Sequence, residues 1–123
     1  MTIRGIRGAI TVTADEKADV LATTLELLTS ILRANPDLRT EGIASALFTV
    51  TDDITSVYPA QAARQIGWDQ VPMLCAREIP VPGSLPLCIR VLIHWNTDKA
   101  QSAIRHVYLR EAASLRPDLA GPA

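Results

Sequence analysis

The chain has 123 residues, 48% of them hydrophobic, with 12 basic and 13 acidic residues and a formal net charge of −1. That size suits one domain with a core of its own, and the near balance of charge excludes a general nucleic-acid surface, which needs clustered positive residues. No apolar stretch approaches the ~20 residues of a membrane span, and no continuous apolar segment of signal-peptide type follows the basic start "MTIRGIRGAI", so a soluble, cytoplasmic protein is expected.

Residues 2–12, "TIRGIRGAITV", alternate as a strand. Thr2, Arg4, Ile6, Gly8, Ile10 and Val12 share one face; Ile3, Gly5, Arg7, Ala9 and Thr11 share the other. Gly5 and Gly8 are unusual inside a strand and mark a bulge or a close approach to the backbone. Thr13 opens a capping box with Glu16. A helix is predicted from there to about Ala34, where Asn35-Pro36 stops it. Val20, Leu21, Leu25, Leu28, Ile31 and Leu32 form its core stripe. Residues 43–51 are a second strand. A short helix over 57–68 has Pro59 in its first turn and Gly67 at its end. Residues 71–78 form a third strand, with Pro72 near its start. The turn-rich "IPVPGSLP" then leads to a fourth, "LCIRVLIHW" at 87–95. Asp98 is a candidate cap for a short helix through Ala100, Ala103, Ile104 and Val107, and "YLREAASL" a candidate last strand. From about residue 115 the chain reads as a mobile tail. The order β-α-β-α-β-β-α-β gives an α+β (mixed α/β) domain over 1–123, built around one sheet.

Two cysteines, Cys75 and Cys88, lie in strand-like runs outside any CxxC pattern and read as small reduced thiols. His94 and His106 have no metal-ligand spacing with each other or with the cysteines, so no metal is expected. There is no phosphate-cradling glycine loop and no nucleophile elbow. The cations on strands are what call for an explanation. Arg90 shares a strand face with Cys88, Leu92 and His94, in the most apolar run of the chain. It either points to water, as most arginines do, or meets an anion, because an unpartnered buried charge is costly. Arg7 poses the same problem between two glycines. Glu78 ends a strand, where a solvated carboxylate is ordinary. Arg64, Arg105 and Arg116 taken singly are surface residues. Two strand arginines with one acid can line a pocket for a small organic anion, since guanidinium forks match carboxylates. Chemistry in such a pocket rests on positioning and electrostatics.

An ordered set of segments carries a stronger signal: "IRGIRGA" at 3–9, "YPAQAAR" ending at Arg64, "GW" at 67–68, "VP" at 71–72, Cys75, Glu78, "CIRV" at 88–91, "IRHVYL" at 104–109 and "LRPDL" at 115–119. With them the chain resembles the monofunctional chorismate mutases of the AroH class. The resemblance implies conversion of chorismate to prephenate by an intramolecular Claisen rearrangement, a step toward phenylalanine and tyrosine, with no cofactor, metal or covalent intermediate. It implies a mixed sheet with flanking helices, three chains forming a pseudo-barrel homotrimer, and active sites between subunits. By position, Arg90 would donate to the ether oxygen, and Arg7 would hold a substrate carboxylate beside Tyr108. Glu78 would accept from the ring hydroxyl, with the Cys75 amide on the same oxygen. Tyr58, Arg64, Leu74 and Leu115 would wall the pocket, and Arg116 would close over it. The chain departs from the family's usual pattern at three places: Gln61 stands for a lysine, Tyr58 for a phenylalanine and Leu74 for a polar residue. Two other readings are a trimeric small-carboxylate-binding regulator and a Rid-type imine or enamine deaminase. The set of Arg7, Glu78 and "CIRV" argues against the deaminase.

Overall fold

A computed structural model describes residues 2–115. Its sheet has five strands: β1 (Ile3–Thr11), β2 (Ile43–Val50), β3 (Met73–Arg77), β4 (Cys88–Asn96) and β5 (Val107–Tyr108). They lie in the order β3-β2-β4-β1-β5. The apolar β4 is central and pairs antiparallel with both β1 and β2, while β3 and β5 add in parallel at the edges. Two helices, α1 (Lys17–Ala34) and α2 (Ala60–Gln65), complete a mixed α+β fold.

Strand alternation decides which side the helices cover. Ile6 and Ile10 of β1, Phe48 of β2, and Ile89, Val91 and Ile93 of β4 are all buried in one cluster with Val20, Leu27, Leu28 and Ile31 of α1. Gly8 marks a close approach of the two layers. A Cβ there would stand 2.7 Å from Ile31 Cδ1, 3.2 Å from Leu27 Cδ1 and 3.3 Å from Val91 Cγ1. Of the two sequence readings of this glycine, close approach is the one found. The sheet's register irregularity lies instead in β2, between Ile43 and Ser45. The helix stripe is also shifted from the expected one. Leu27, Thr23 and Thr24 are fully buried, while Leu21, Leu25 and Leu32 are half-buried at its flank.

Three local expectations need correction. Thr13 and Glu16 form no capping box: α1 begins at Lys17 with Glu16 as its cap residue and no side-chain cap bond, so Thr13 is too far upstream to reach a free amide. Residues 98–107 do not form a helix. Only one 3₁₀ turn, Gln101–Ala103, is present, because so short a segment with one buried residue, Ile104, does not repay nucleation. Beyond it, Asn35 pulls the chain straight. This buried amide ends α1 and bonds Arg105 through both its atoms, Nδ2 to the carbonyl at 2.9 Å and Oδ1 to the amide at 3.1 Å. The last strand is earlier and shorter than expected, because Arg110 takes φ 54° and turns the chain into a 3₁₀ turn over Arg110–Ser114. Leu115 is described; the rest of the expected mobile tail, with Arg116, lies outside the described residues.

Candidate active site

The face of the sheet away from α1 carries the strand arginines. Register-paired residues of neighbouring strands point to the same side, and two rows cross this face. One runs Ala76, Thr49, Arg90, Ala9, Tyr108 from β3 to β5. The next runs Leu74, Leu47, Leu92, Arg7. Arg7, Leu47, Thr49, Arg90, Leu92 and Tyr108 together line a cavity of about 270 Å³. Arg7 and Arg90, which stand 83 positions apart in sequence, meet there because β1 and β4 are antiparallel neighbours.

Arg90 is neither buried in the interior nor turned to bulk water. Its side chain is about one-third exposed, and Nε lies 3.5 Å from Oε2 of Glu78. Nε is shut off from solvent without a hydrogen bond of its own, the single buried side-chain polar atom in that condition among the described residues. A guanidinium in this state has donor capacity for an incoming anion. Glu78 is set from two sides: its amide donates to the Val50 carbonyl at 2.9 Å, and its carboxylate accepts from the Thr49 hydroxyl. Thr49 was not singled out from sequence. The signal available was its parity in "LFTV", which puts it on the same face as Leu47. Burial pushes the Cys88 thiol up, against the opposing pull of Arg90 beside it, so Cys88 is an inert packing group.

Backbone bonds fix both arginine-bearing strands. The Arg7 amide donates to His106 Nδ1 at 2.9 Å. Because β5 begins only at Val107, the imidazole supplies an acceptor where the strand has not yet started. At the other strand, Asp53 accepts from the Leu87 amide at 3.0 Å and Thr51 Oγ1 accepts from that of Cys88 at 3.0 Å. These bonds hold Leu87 at φ 50°, three residues before Arg90.

Cys75 falls on the opposite face from Glu78, as strand parity requires. It pairs in register with the buried Phe48 and packs against the helix-side core. With Tyr58 and Gln61 it lines a separate and larger cavity of about 500 Å³, to which Lys17 and Arg77 also contribute. The larger cavity is therefore not the one that holds Arg7 and Arg90; the chemistry of the paired arginines, and not volume, singles out the smaller. Tyr58 is 72% and Leu74 73% exposed, and Arg64 is exposed on α2. Within one chain, then, Arg7, Arg90, Glu78 and Tyr108 converge, and Leu115 packs against the Ala9–Cys88–Tyr108–Ala112 cluster beside them. Tyr58 and Arg64 do not join them. The loop bearing Tyr58 is nonetheless anchored: Asp15 accepts from the Thr55 and Ser56 amides at 3.0 and 3.1 Å, and Arg77 donates to the Thr51 and Ile54 carbonyls at 3.2 Å each.

Comparison with known proteins bears on what such a face is for. A family model described as chorismate mutase type I matches residues 3–119. Chorismate mutase AroH of Thermus thermophilus is 59% identical over 117 residues, covering 95% of this chain and 96% of the relative. Chorismate mutase AroH of Bacillus subtilis (strain 168) is 44% identical over 120 residues, covering 97% and 94%. Among solved structures, a chorismate mutase from Clostridium thermocellum superposes with a TM-score of 0.86 at 44% identity, covering 89% of this chain and 97% of that one.

Proposed function

The chain belongs to the chorismate mutase type I family, and we propose that it converts chorismate to prephenate on the Arg7–Arg90 face of its sheet. The observation that carries this reading is the convergence of two arginines and a tyrosine on one cavity, with the Glu78 carboxylate held at its rim by Thr49 and Arg90.

The chemistry follows from charge. Chorismate is a dianion, and two fixed guanidinium groups give it both affinity and orientation. Arg7, with the Tyr108 hydroxyl, holds a carboxylate. Arg90 donates to the ether oxygen, where negative charge grows as the C–O bond breaks and the new C–C bond forms. That donation is stronger in the transition state than in the ground state, which is what accelerates the step. Glu78 accepts from the ring hydroxyl, and the Cys75 amide donates to the same oxygen. Holding the substrate folded, with its reacting carbons close, removes entropy before the reaction. No cofactor or metal enters this scheme.

The site is completed by a neighbouring copy, and three chains form the assembly. Supporting this, Ile3 and Leu74 are large apolar residues 51% and 73% exposed on the open face, with half-buried Leu47 and Leu92 between them. An apolar patch of this kind marks an association surface. Tyr58 and Arg64, far from Arg90 in their own chain, would wall the site of a neighbour, with Leu74, Leu115 and Arg116 around its rim. Gln61 in the cavity with Tyr58 makes that wall less cationic than a lysine would. No helix among the described residues is long and apolar enough to cross a membrane, and the reading places the enzyme in the cytoplasm.

The deciding experiment incubates purified, metal-free protein with chorismate and follows loss of substrate and appearance of prephenate. Turnover that disappears in Arg90→Ala is the expected result. Tight chorismate binding without turnover would replace the enzyme by a carboxylate-binding regulator.

A further inference from the structure

Two residues past β5, at the start of the 3₁₀ turn, the backbone is strained and well held. Arg110 is one of two non-glycine residues with positive φ among those described, the other being Leu87. Positive φ in a branched-chain or long residue persists where surrounding contacts fix it, and such outliers gather at sites where position matters. Here the contacts are specific. Arg110 Nη2 lies 2.8 Å from Glu26 Oε1 on α1, and Nη1 donates at 2.9 Å to the carbonyl of Thr11, the last residue of β1. The same nitrogen reaches Thr23 Oγ1 at 3.5 Å. One side chain thus ties the C-terminal arm to both the helix layer and the sheet.

The arm it ties carries the site. Tyr108 lies two residues before Arg110 and lines the cavity with Arg7 and Arg90. After Arg110 the 3₁₀ turn leads to Leu115, which packs with Tyr108 and Ala112 against Ala9 and Cys88. The arm's own backbone hold on the sheet is slight: beyond two residues of β5 it is the Leu109 amide on the Ala9 carbonyl, at 2.9 Å. A two-residue edge strand does not fix a following segment by itself.

We propose that Arg110 is a positioning residue, a latch through Glu26 and Thr11 that sets where Tyr108 and Leu115 stand beside the two arginines. The proposal rests on the reading of that face as the substrate site. The latch touches no reacting atom, so it acts on binding of the carboxylate end and not on the C–O bond.

Glu26→Lys tests it, since it turns the ion pair repulsive at an exposed helix position without touching the core. The expected result is a rise in KM of about threefold to tenfold, the scale of an exposed ion pair reversed, with kcat within about twofold. Hydrogen exchange at the Leu109 amide, measured without substrate, is expected to speed up in the same variant. Combining it with Arg110→Glu restores opposite charges and should recover at least half of the KM rise on a logarithmic scale; full recovery is not expected, because the bond to Thr11 is lost. Glu26→Gln should move both readouts in the same direction by less. Unchanged KM and unchanged exchange in Glu26→Lys would overturn the latch, as would a double variant no better than the single one. Arg90→Ala serves as the control: if it keeps full activity the site reading fails, while the exchange measurement still judges the latch.

Discussion

The two faces of the sheet are made by the same strands and have opposite characters. Along β4, Ile89, Val91, Ile93 and Trp95 are buried under the helices, while Arg90, Leu92 and His94 on the other face are half-buried. The covered face is closed within one chain, and its glycine, Gly8, exists to let α1 come close. The open face is not closed within one chain, and its polar groups are arranged toward one another: Thr49 to Glu78, Glu78 to Arg90, Ser45 to His94. The core lies on one face and the proposed chemistry on the other, and alternation at a period of two lets nine residues serve both.

The sharpest way to break this comparison is to damage one face and read the other. Arg90→Ala should lower kcat/KM by at least about 10²–10³-fold, the loss seen on removing one oxyanion donor, with little change in Tm. Phe48→Ala, on the covered face, should cost about 3–5 kcal/mol of stability in a denaturant titration. A folded Arg90→Ala chain with near-normal rates would end the division of labour.

The next test asks whether a second copy of the chain completes the open face, as proposed. Mixed and reassembled chains carrying Arg90→Ala and Arg64→Ala should regain activity in on the order of a quarter of sites, as random assortment in a closed homo-oligomer gives. Mixing Arg90→Ala with Glu78→Ala should regain none, because both lesions fall on one chain's face. Equal recovery from the two mixtures would contradict a site divided in this way.

A smaller effect is expected at Gly8. Gly8→Ala pushes a methyl against Ile31 Cδ1, the movable end of a side chain, so the cost should be about 1–3 kcal/mol by chemical denaturation. Because Gly8 adjoins Arg7, a rise in KM should accompany it.

The smallest lies at Asp15. Its carboxyl is held below the usual carboxylate range, chiefly by the Ser56 hydroxyl and further by the Thr55 and Ser56 amides, against a desolvation effect of opposite sign. A depressed folded-state pKa gives stability that is present above the ordinary carboxylate value, about 4, and is lost as pH falls through the folded value. In Asp15→Asn the acid-side fall in Tm below about pH 4 should be shallower than in the parent chain; identical acid limbs would remove Asp15 from the account.

Much of this was legible in the chain as written. Strand alternation gave the two faces of β1 and β4, Asn35-Pro36 gave the end of α1, and the ordered motifs gave the family and with it the roles proposed for Arg7, Glu78, Arg90 and Tyr108. What pattern could not supply were the elements decided by contacts distant in sequence. The 98–107 segment has helical spacing but is drawn straight by Asn35 from the end of α1. The last strand stops where Glu26 and Thr11 seize Arg110.

The sequence by itself determined that Arg90 must either reach water or meet an anion, because a permanent cation among apolar neighbours has no other stable arrangement. Tertiary structure alone decided where that cation points. The antiparallel pairing of β1 with β4 brings Arg7 beside it, the parallel addition of β3 brings Glu78 to it, and the helices take the opposite face. Those are consequences of strand order and register, which local residue patterns do not encode.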